Sequence, residues 1–494
     1  MNKYETIIGL EIHLQLNTKS KMFCACSNKG EKAKVNTTIC PICLGHPGTL
    51  PTLNALAVQK GLALSLALNC QINIKSKFDR KNYFYPDLPK GYQISQFDIP
   101  LAEGGHLLIT LNDQEKRIGI ERLHLEEDAA KNIHQKDKTL IDYNRGGMPL
   151  AEIVTKPDFR KVEETTEFLK NLRLIAQYLN ISDAEMEKGN LRCDANISLR
   201  PQGDNKLYPK TEIKNLNSFK AVVKALKYEK ERQKDLWEKS SAPQMTSTRG
   251  WDEEKKETRE QRIKESFADY RYFPEPDLPP LLISAELLKE VKSSLPELPQ
   301  ERYYRFREEF GLSKKDTAVL INKKDWAEYF EKVISELRAW LFKVNKGKYN
   351  WSKEKIKLSK LTFSWITSEL FSLLKDNFLM KKLKITPENM AELIKLIYEQ
   401  KINSSAGQTI LAKMFKSGLD PSDLAEELDL RQIDDEEELA GLVIKVIMSN
   451  SEQVQEYKDG KEAIFKFLVG KVMAESKGKG HPQKIAKILK EKLT

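Results

Sequence analysis

The chain has 494 residues, about three or four times the length of a typical domain, so it folds as several domains. It carries 82 Lys+Arg against 72 Asp+Glu, a formal charge of +10, with 40% hydrophobic and 31% charged residues. That balance permits a polyanionic partner without requiring one, and it excludes collagen-like and wholly disordered classes.

Glu5–Leu16 alternates with period two, a strand signal. Leu10, Ile12, Leu14 and Leu16 share one face; Glu11, His13 and Gln15 share the other. Then come Cys24-Ala25-Cys26, thirteen residues, and Cys40-Pro41-Ile42-Cys43. Two thiolate pairs on two turns suit a tetrahedral zinc, and with all four positions filled by protein the metal is structural. Four free thiols or a redox pair are the alternatives. Cys70 and Cys193 lie in apolar stretches and read as core.

Lys77–Asp87 mixes cations with aromatics, a composition suited to phosphates and stacked bases but also common at solvated edges. In Ile118–Asp128, Arg122, His124 and Glu126 fall on one side of a second strand, and Glu152 sits in the otherwise apolar Leu150–Val154. If these strands adjoin, Glu11, His13, Glu126 and Glu152 converge as a hard site suited to Mg²⁺ and phosphates. On pattern alone, ordinary solvated strand faces are the favoured account.

Val162–Leu179 spaces Phe168, Leu172, Ile175 and Leu179 as a helix. Arg192–Arg200 alternates again, with Cys193, Ala195, Ile197 and Leu199 opposite Arg192, Asp194, Asn196 and Ser198. Ser218 is a natural N-cap for a helix burying Phe219, Val222 and Leu226. Lys210, Glu212 and Lys214 extend the polar and basic theme, as does Asp269-Tyr270-Arg271-Tyr272-Phe273. Phe273–Pro280 is a breaker cluster, and with Pro296 and Pro299 it sets a domain edge near 295. Beyond it the chain reads as helix, with inner boundaries at Gly347–Ser352 and Asn403–Gly407. The stretch Gly470–Thr494 includes Lys477-Gly478-Lys479-Gly480-His481-Pro482 and holds seven lysines against two glutamates. The fold class is α+β, a mixed α/β domain followed by all-α segments.

No apolar run approaches the roughly 20 residues of a bilayer span, and Met1–Leu16 has no secretory pattern. A cytoplasmic protein is expected. There is no G-x-x-x-x-G-K-[ST] loop, no G-x-G-x-x-G after a strand, no G-x-S-x-G and no H-E-x-x-H. A nucleotide, if used, is held outside the common motifs.

Seven segments in order closely resemble one family: Ile8–His13, Lys77–Asp87, Tyr92–Gln96, Leu123–Ala129, Leu191–Ser198, Lys214–Ser218 and Asp269–Asp277. This is the GatB family, one of the three components of the heterotrimeric GatCAB aspartyl/glutamyl-tRNA(Asn/Gln) amidotransferases, and from Ser405 onward the chain resembles that family's YqeY-like tail. The resemblance covers essentially the whole chain. It implies a catalytic cradle domain over 1–295 with a zinc knob at about 22–46, a helical domain over 296–403, and a tRNA-contacting helical tail over 404–494. It implies ATP-dependent phosphorylation of the side-chain carboxylate of Glu on tRNA(Gln) or Asp on tRNA(Asn), then amidation by ammonia. The ammonia comes from glutamine through the partner amidase, GatA, and a small third component, GatC, straps the two together.

Under the same resemblance Glu11, His13, Glu126 and Glu152 match Mg²⁺-binding positions, and Cys24, Cys26, Cys40 and Cys43 match the zinc-bearing branch. The chemistry suggests Lys81 and Arg192 as phosphate contacts and Asp194 as the group that orients ammonia or a metal-bound water. The intact carboxylates argue against a tRNA-binding scaffold without a phosphoryl-transfer site. The lysine-rich tail fits contact with a nucleic-acid backbone.

Overall fold

The computed structural model describes residues 3–263, 270–344, 350–374, 380–433, 435–476 and 478–493. Asp269, Lys477 and part of the expected Gly347–Ser352 boundary lie outside these. The chain divides into two compact units, Met1–Pro299 and Gln300–Thr494.

The first unit is built on a ten-stranded sheet. Five strands carry the site: β1 (Tyr4–Gln15), β2 (Gln114–Glu127), β3 (Pro149–Thr155), β4 (Leu191–Pro201) and β5 (Thr211–Leu216). They lie in the order β5-β4-β1-β3-β2, and each neighbouring pair is antiparallel. The alternation of β1 decides which way the sheet faces. Leu10, Ile12 and Leu14 join one apolar core with residues of three helices, α1 (Ala55–Ala67), α2 (Val162–Tyr178) and α3 (Phe219–Glu238). Phe168 and Leu172 of α2 and Val222 and Leu226 of α3 are fully buried there. The helix α3 starts at Ser218, whose Oγ accepts the Ala221 N–H at 3.0 Å. Cys70 and Cys193 are buried in the same core. The polar face of β1 is left for the site.

A small sheet stands beside the large one: Asp79–Asn82 pairs with Tyr92–Ser95 and with Phe273–Pro274. The proline-rich stretch therefore begins by adding a strand rather than a free linker. Arg80 fastens it, donating Nε and Nη2 to the two Glu275 carboxylate oxygens at 2.7 and 2.8 Å. A bidentate pair of this kind fixes geometry as well as charge.

Among its described residues the second unit is helical, apart from a bridge between Ile433 and Gly480. One apolar cluster runs from Phe306 to Ala425, and another from Leu439 to Leu493. Several helices open on capped residues: Ser313, Thr386, Asn403, Asp420 and Asp435 each accept a backbone N–H. Among the described residues no helix is long and apolar enough to cross a membrane.

Ile12 is fully buried directly behind the site-bearing face of β1. Ile12→Ala should lower the unfolding free energy by about 3 kcal/mol, read as an earlier midpoint in urea denaturation. An unchanged midpoint would mean that the strand is not held by this core.

Candidate active site and metal centres

Strand register assembles the site. On β1, His13 pairs with Glu152 of β3, and Glu152 pairs in turn with His124 of β2. Three residues from three strands thus stand in one row. Across an antiparallel pair, opposed side chains are close enough to touch, and a slip of one residue would turn the whole row to the other face. His13 Nε2 lies 3.3 Å from Glu152 Oε2 and 3.5 Å from Glu126 Oε1. His124 Nε2 lies 3.1 Å from Glu152 Oε2 and 3.7 Å from Glu126 Oε2. Ser95 Oγ, on the small sheet, donates to Glu126 Oε2 at 3.1 Å. Glu11 completes the group, since one ligand atom each of Glu11, His13 and Glu152 lies within 4.8 Å of the others.

Charge explains how such a cluster is tolerated. Burial alone would depress both imidazoles, but Glu152 and Glu126 outweigh it and hold His13 and His124 up at about 9. Burial would likewise raise Glu126 and Glu152. The histidines reverse this, keeping Glu126 below and Glu152 well below the usual carboxylate range. Glu11 goes the other way, raised by burial and then by Glu152. Two imidazolium charges therefore balance two of three carboxylates. A divalent cation carries the same charge and would take the place of those two protons. The donor set fits such an ion, with carboxylate oxygens for a hard metal and imidazole nitrogens that also accept Mn²⁺-like ions. The buried His124 Nδ1 makes no hydrogen bond.

A cavity of about 680 Å³ opens over this cluster, bounded by His13, Glu126, Lys81, Arg192 and Lys214. Lys81 rises from the small sheet. Its ammonium lies 4.9 Å from the centre of the Tyr270 ring and is raised despite burial by Glu126 and Tyr272. Arg192 differs, because each of its terminal nitrogens donates to an oxygen of Asp128. Asp194 faces Glu11 across the β1–β4 ladder and accepts from Lys214 Nζ at 2.6 Å, while Lys214 also contacts Glu212 at 3.0 Å. The structure thus gathers Glu11, His13, Glu126 and Glu152 in one group and sets Lys81 and Arg192 on its cavity. Asp194 is tied to a lysine. Sequence reasoning placed His124 beside Glu126 on one side of β2 but left it out of the metal-binding set. The Arg192–Asp128 and Lys214–Asp194 pairs had no local signal at all.

The cysteines form a separate centre. One sulfur each from Cys24, Cys26, Cys40 and Cys43 lies within 4.8 Å of the others. The Cys40 and Cys43 sulfurs are 3.8 Å apart, and sulfurs about 2.3 Å from a tetrahedral zinc stand roughly 3.8 Å from one another. The turn is shaped for this. Cys40 N–H donates to Cys43 Sγ at 3.2 Å, and Gly45 takes φ +69° against Lys90, where a Cβ would lie 2.5 Å from Lys90 Cγ. Cys43 is drawn down to about 5, first by the hydrogen bond from Cys24 and then, against burial, by Cys40 N–H and Lys21.

Lys21 is the telling neighbour. It is fully buried, and its Nζ reaches Tyr143 O at 3.3 Å and Cys43 Sγ at 3.8 Å. A buried ammonium needs an anion, and the thiolate is the anion it has. A zinc tetrathiolate carries two negative charges, so Lys21 fits the metal-loaded cluster better than four thiols.

Cys43→Ser should therefore lose tightly held metal, and Lys21→Met should let a chelator remove it at about tenfold lower concentration. Metal content after dialysis and a chelator titration measure both. Equal chelator resistance in Lys21→Met would remove the charge-balancing role.

Residues 6–289 match the family model described as the GatB/GatE catalytic domain, and residues 350–493 match the one described as the GatB domain. The chain is 44% identical to the B subunit of the aspartyl/glutamyl-tRNA(Asn/Gln) amidotransferase of Carboxydothermus hydrogenoformans, over 100% of this chain and 99% of that protein. It is 44% identical to the protein of that name from Campylobacter jejuni subsp. jejuni, over 99% of this chain and 100% of the relative. For the one from Caldanaerobacter subterraneus subsp. tengcongensis the identity is 45%, over the whole of both chains. Two matched domains and end-to-end likeness leave one assignment: the chain belongs to the GatB family of aspartyl/glutamyl-tRNA amidotransferase subunits.

Proposed function

We propose that this chain amidates the side-chain carboxylate of Glu on tRNA(Gln) or of Asp on tRNA(Asn). The carboxylate oxygen first takes the γ-phosphoryl group of ATP, the bond to the β-phosphate breaks, and ADP leaves. Ammonia then attacks the acyl carbon, the C–O bond to phosphate breaks, and the amide and inorganic phosphate are released. The activation is needed because a carboxylate would otherwise have to expel oxide. The observation that carries the reading is the His13–Glu152–His124 row with Glu126 and Glu11, beneath a cavity also bounded by cations.

Glu11, His13, Glu126 and Glu152, with His124, would hold a divalent ion such as Mg²⁺, which neutralises phosphate charge and polarises the phosphoryl group. Lys81 forms no ion pair among the described residues, so its donors are available to phosphate oxygens. Arg192 offers a guanidinium whose position Asp128 fixes. Asp194, oriented by Lys214, accepts an N–H of the incoming ammonia. The zinc knob has a structural part. Catalysis is assigned to 1–295, a helical domain to 296–403, and tRNA contact to the YqeY-like tail, 404–494. The partners are the amidase GatA, which supplies ammonia from glutamine, and the small strap protein GatC, in the cytoplasm.

With GatA and GatC present and ammonium as nitrogen donor, the chain should convert Glu-tRNA(Gln) to Gln-tRNA(Gln) only when ATP is added. Glu126→Gln should cut that rate by about 100-fold or more while leaving tRNA affinity unchanged; full turnover in the variant would remove Glu126 from the chemistry. In the tail, replacing Lys487 and Lys492 by Gln should weaken tRNA binding and lower the salt slope by about one per lost phosphate contact. An unchanged slope in a titration against salt would overturn the tail's part.

A further inference from the structure

The cavity has a second wall that the chemistry above does not use. It is formed by Tyr83, Phe84 and Tyr85, with Tyr270 nearby. Phe84 is 89% exposed. A single exposed ring is ordinary on a protein surface. What sets this one apart is that it is held in place and faces a polar cavity.

The loop that displays it is tied at both ends and from outside. Tyr83 N–H donates to Gly91 O at 3.1 Å, Leu88 N–H to Tyr85 O at 2.9 Å and Gly91 N–H to Leu88 O at 2.9 Å. Ala130 N–H reaches Asp87 O at 3.0 Å, and Tyr143 Oη donates to Pro86 O at 3.0 Å. The Phe84 ring rests on Gly91, where a Cβ would come within 3.1 and 3.2 Å of two ring carbons. Gly91 has φ +76°, so the same position needs glycine for its backbone as well. Beside it the Tyr83 and Tyr85 rings run nearly parallel, 18° apart with centres 6.0 Å apart. One edge of Phe84 is supported and the rest of the ring is bare. A preorganised flat apolar surface beside cations is how proteins receive a base whose phosphates lie alongside.

We propose that Phe84 is a stacking platform for adenine at the rim of the cavity. This rests on the amidation reading, in which both substrates carry that base: ATP, and the tRNA through its 3′-terminal adenosine. Phe84 positions the base and takes no part in bond making. Its ring stacks on the purine while Lys81 and the carboxylate cluster, on the same cavity, meet the phosphates or the acyl end.

The test uses the full complex with GatA and GatC, with ammonium as donor. Phe84→Ala should raise KM about tenfold for the substrate whose adenine stacks, with a much smaller effect on kcat, and Phe84→Trp should restore it. A rise for ATP alone assigns the nucleotide's base; a rise for misacylated tRNA alone assigns the terminal adenosine. In parallel, 2-aminopurine is placed in either position, in the triphosphate or at the tRNA end. Its fluorescence should be quenched on binding to the unaltered complex and to Phe84→Trp, and far less with Phe84→Ala. Equal KM values for both substrates together with equal quenching would overturn the proposal. If the unaltered complex shows no ATP-dependent amidation, the functional reading fails, and the quenching alone still decides whether Phe84 receives the base.

Discussion

Two glutamates buried side by side are the constraint on which the catalytic unit turns. Glu126 and Glu152 both approach the same two imidazoles, and without opposite charge a pair of buried carboxylates would lose one ionisation. His13 and His124 supply that charge from the strands on either side of β3. This works only if β1, β3 and β2 are adjacent and in register, with His13, Glu152 and His124 directly opposed. The order of the sheet and the electrostatics of the site are therefore one requirement. The apolar row behind it, Leu10, Ile12 and Leu14, enforces the register from the other face.

The cations around the cavity divide into committed and uncommitted. Arg192 is clamped by Asp128, and Lys214 by Asp194 and Glu212. These pairs hold the walls in place while adding little net field. Lys81 makes no ion pair among the described residues and leans on Tyr270 instead. A polyanion entering the cavity would thus meet one available ammonium beside a cluster suited to a divalent ion. The excess of +10 over 494 residues says nothing of this arrangement; placement matters more than the total.

Much of this was legible in the chain itself. The alternation of Glu5–Leu16 placed Glu11 and His13 on one face, and the Cys24–Cys43 spacing announced a four-sulfur cluster. Ser218 was readable as a cap. The convergence of Glu126 and Glu152 with β1 was not, because it depends on which strands pair across more than a hundred residues. Pattern alone left those carboxylates as ordinary solvated strand faces, and the structure corrects this by burying Glu126 and Glu152 together against two imidazoles; the resemblance to a family had already lifted them out. His124 is the residue that both the strand pattern and the resemblance left out of the set. It stood two residues from Glu126, on the same side of the strand, and geometry alone returned it to the cluster. Lys21 gave no signal at all, since nothing local distinguishes a buried lysine from a solvated one.

Lys21 also bears on how the two candidate metal centres relate. The cysteine turn packs against the end of β2: Gly147 lies between Lys21, Cys43 and Glu127, and Glu127 pairs with Lys90 while accepting the Ile94 N–H at 3.0 Å. Ile94 and Ser95 belong to the strand of the small sheet that meets Glu126 through Ser95. The chain of contacts from the sulfur cluster to Glu126 is therefore short and made of buried, hydrogen-bonded groups. A metal among the cysteines would stiffen the end of β2 and the strand that carries Ser95, and so hold the Glu126 carboxylate in place through its Oε2. Four sulfurs with no open position do no chemistry of their own. Any influence they have on the site would pass through this scaffold, as the rigidity of the Glu126 carboxylate.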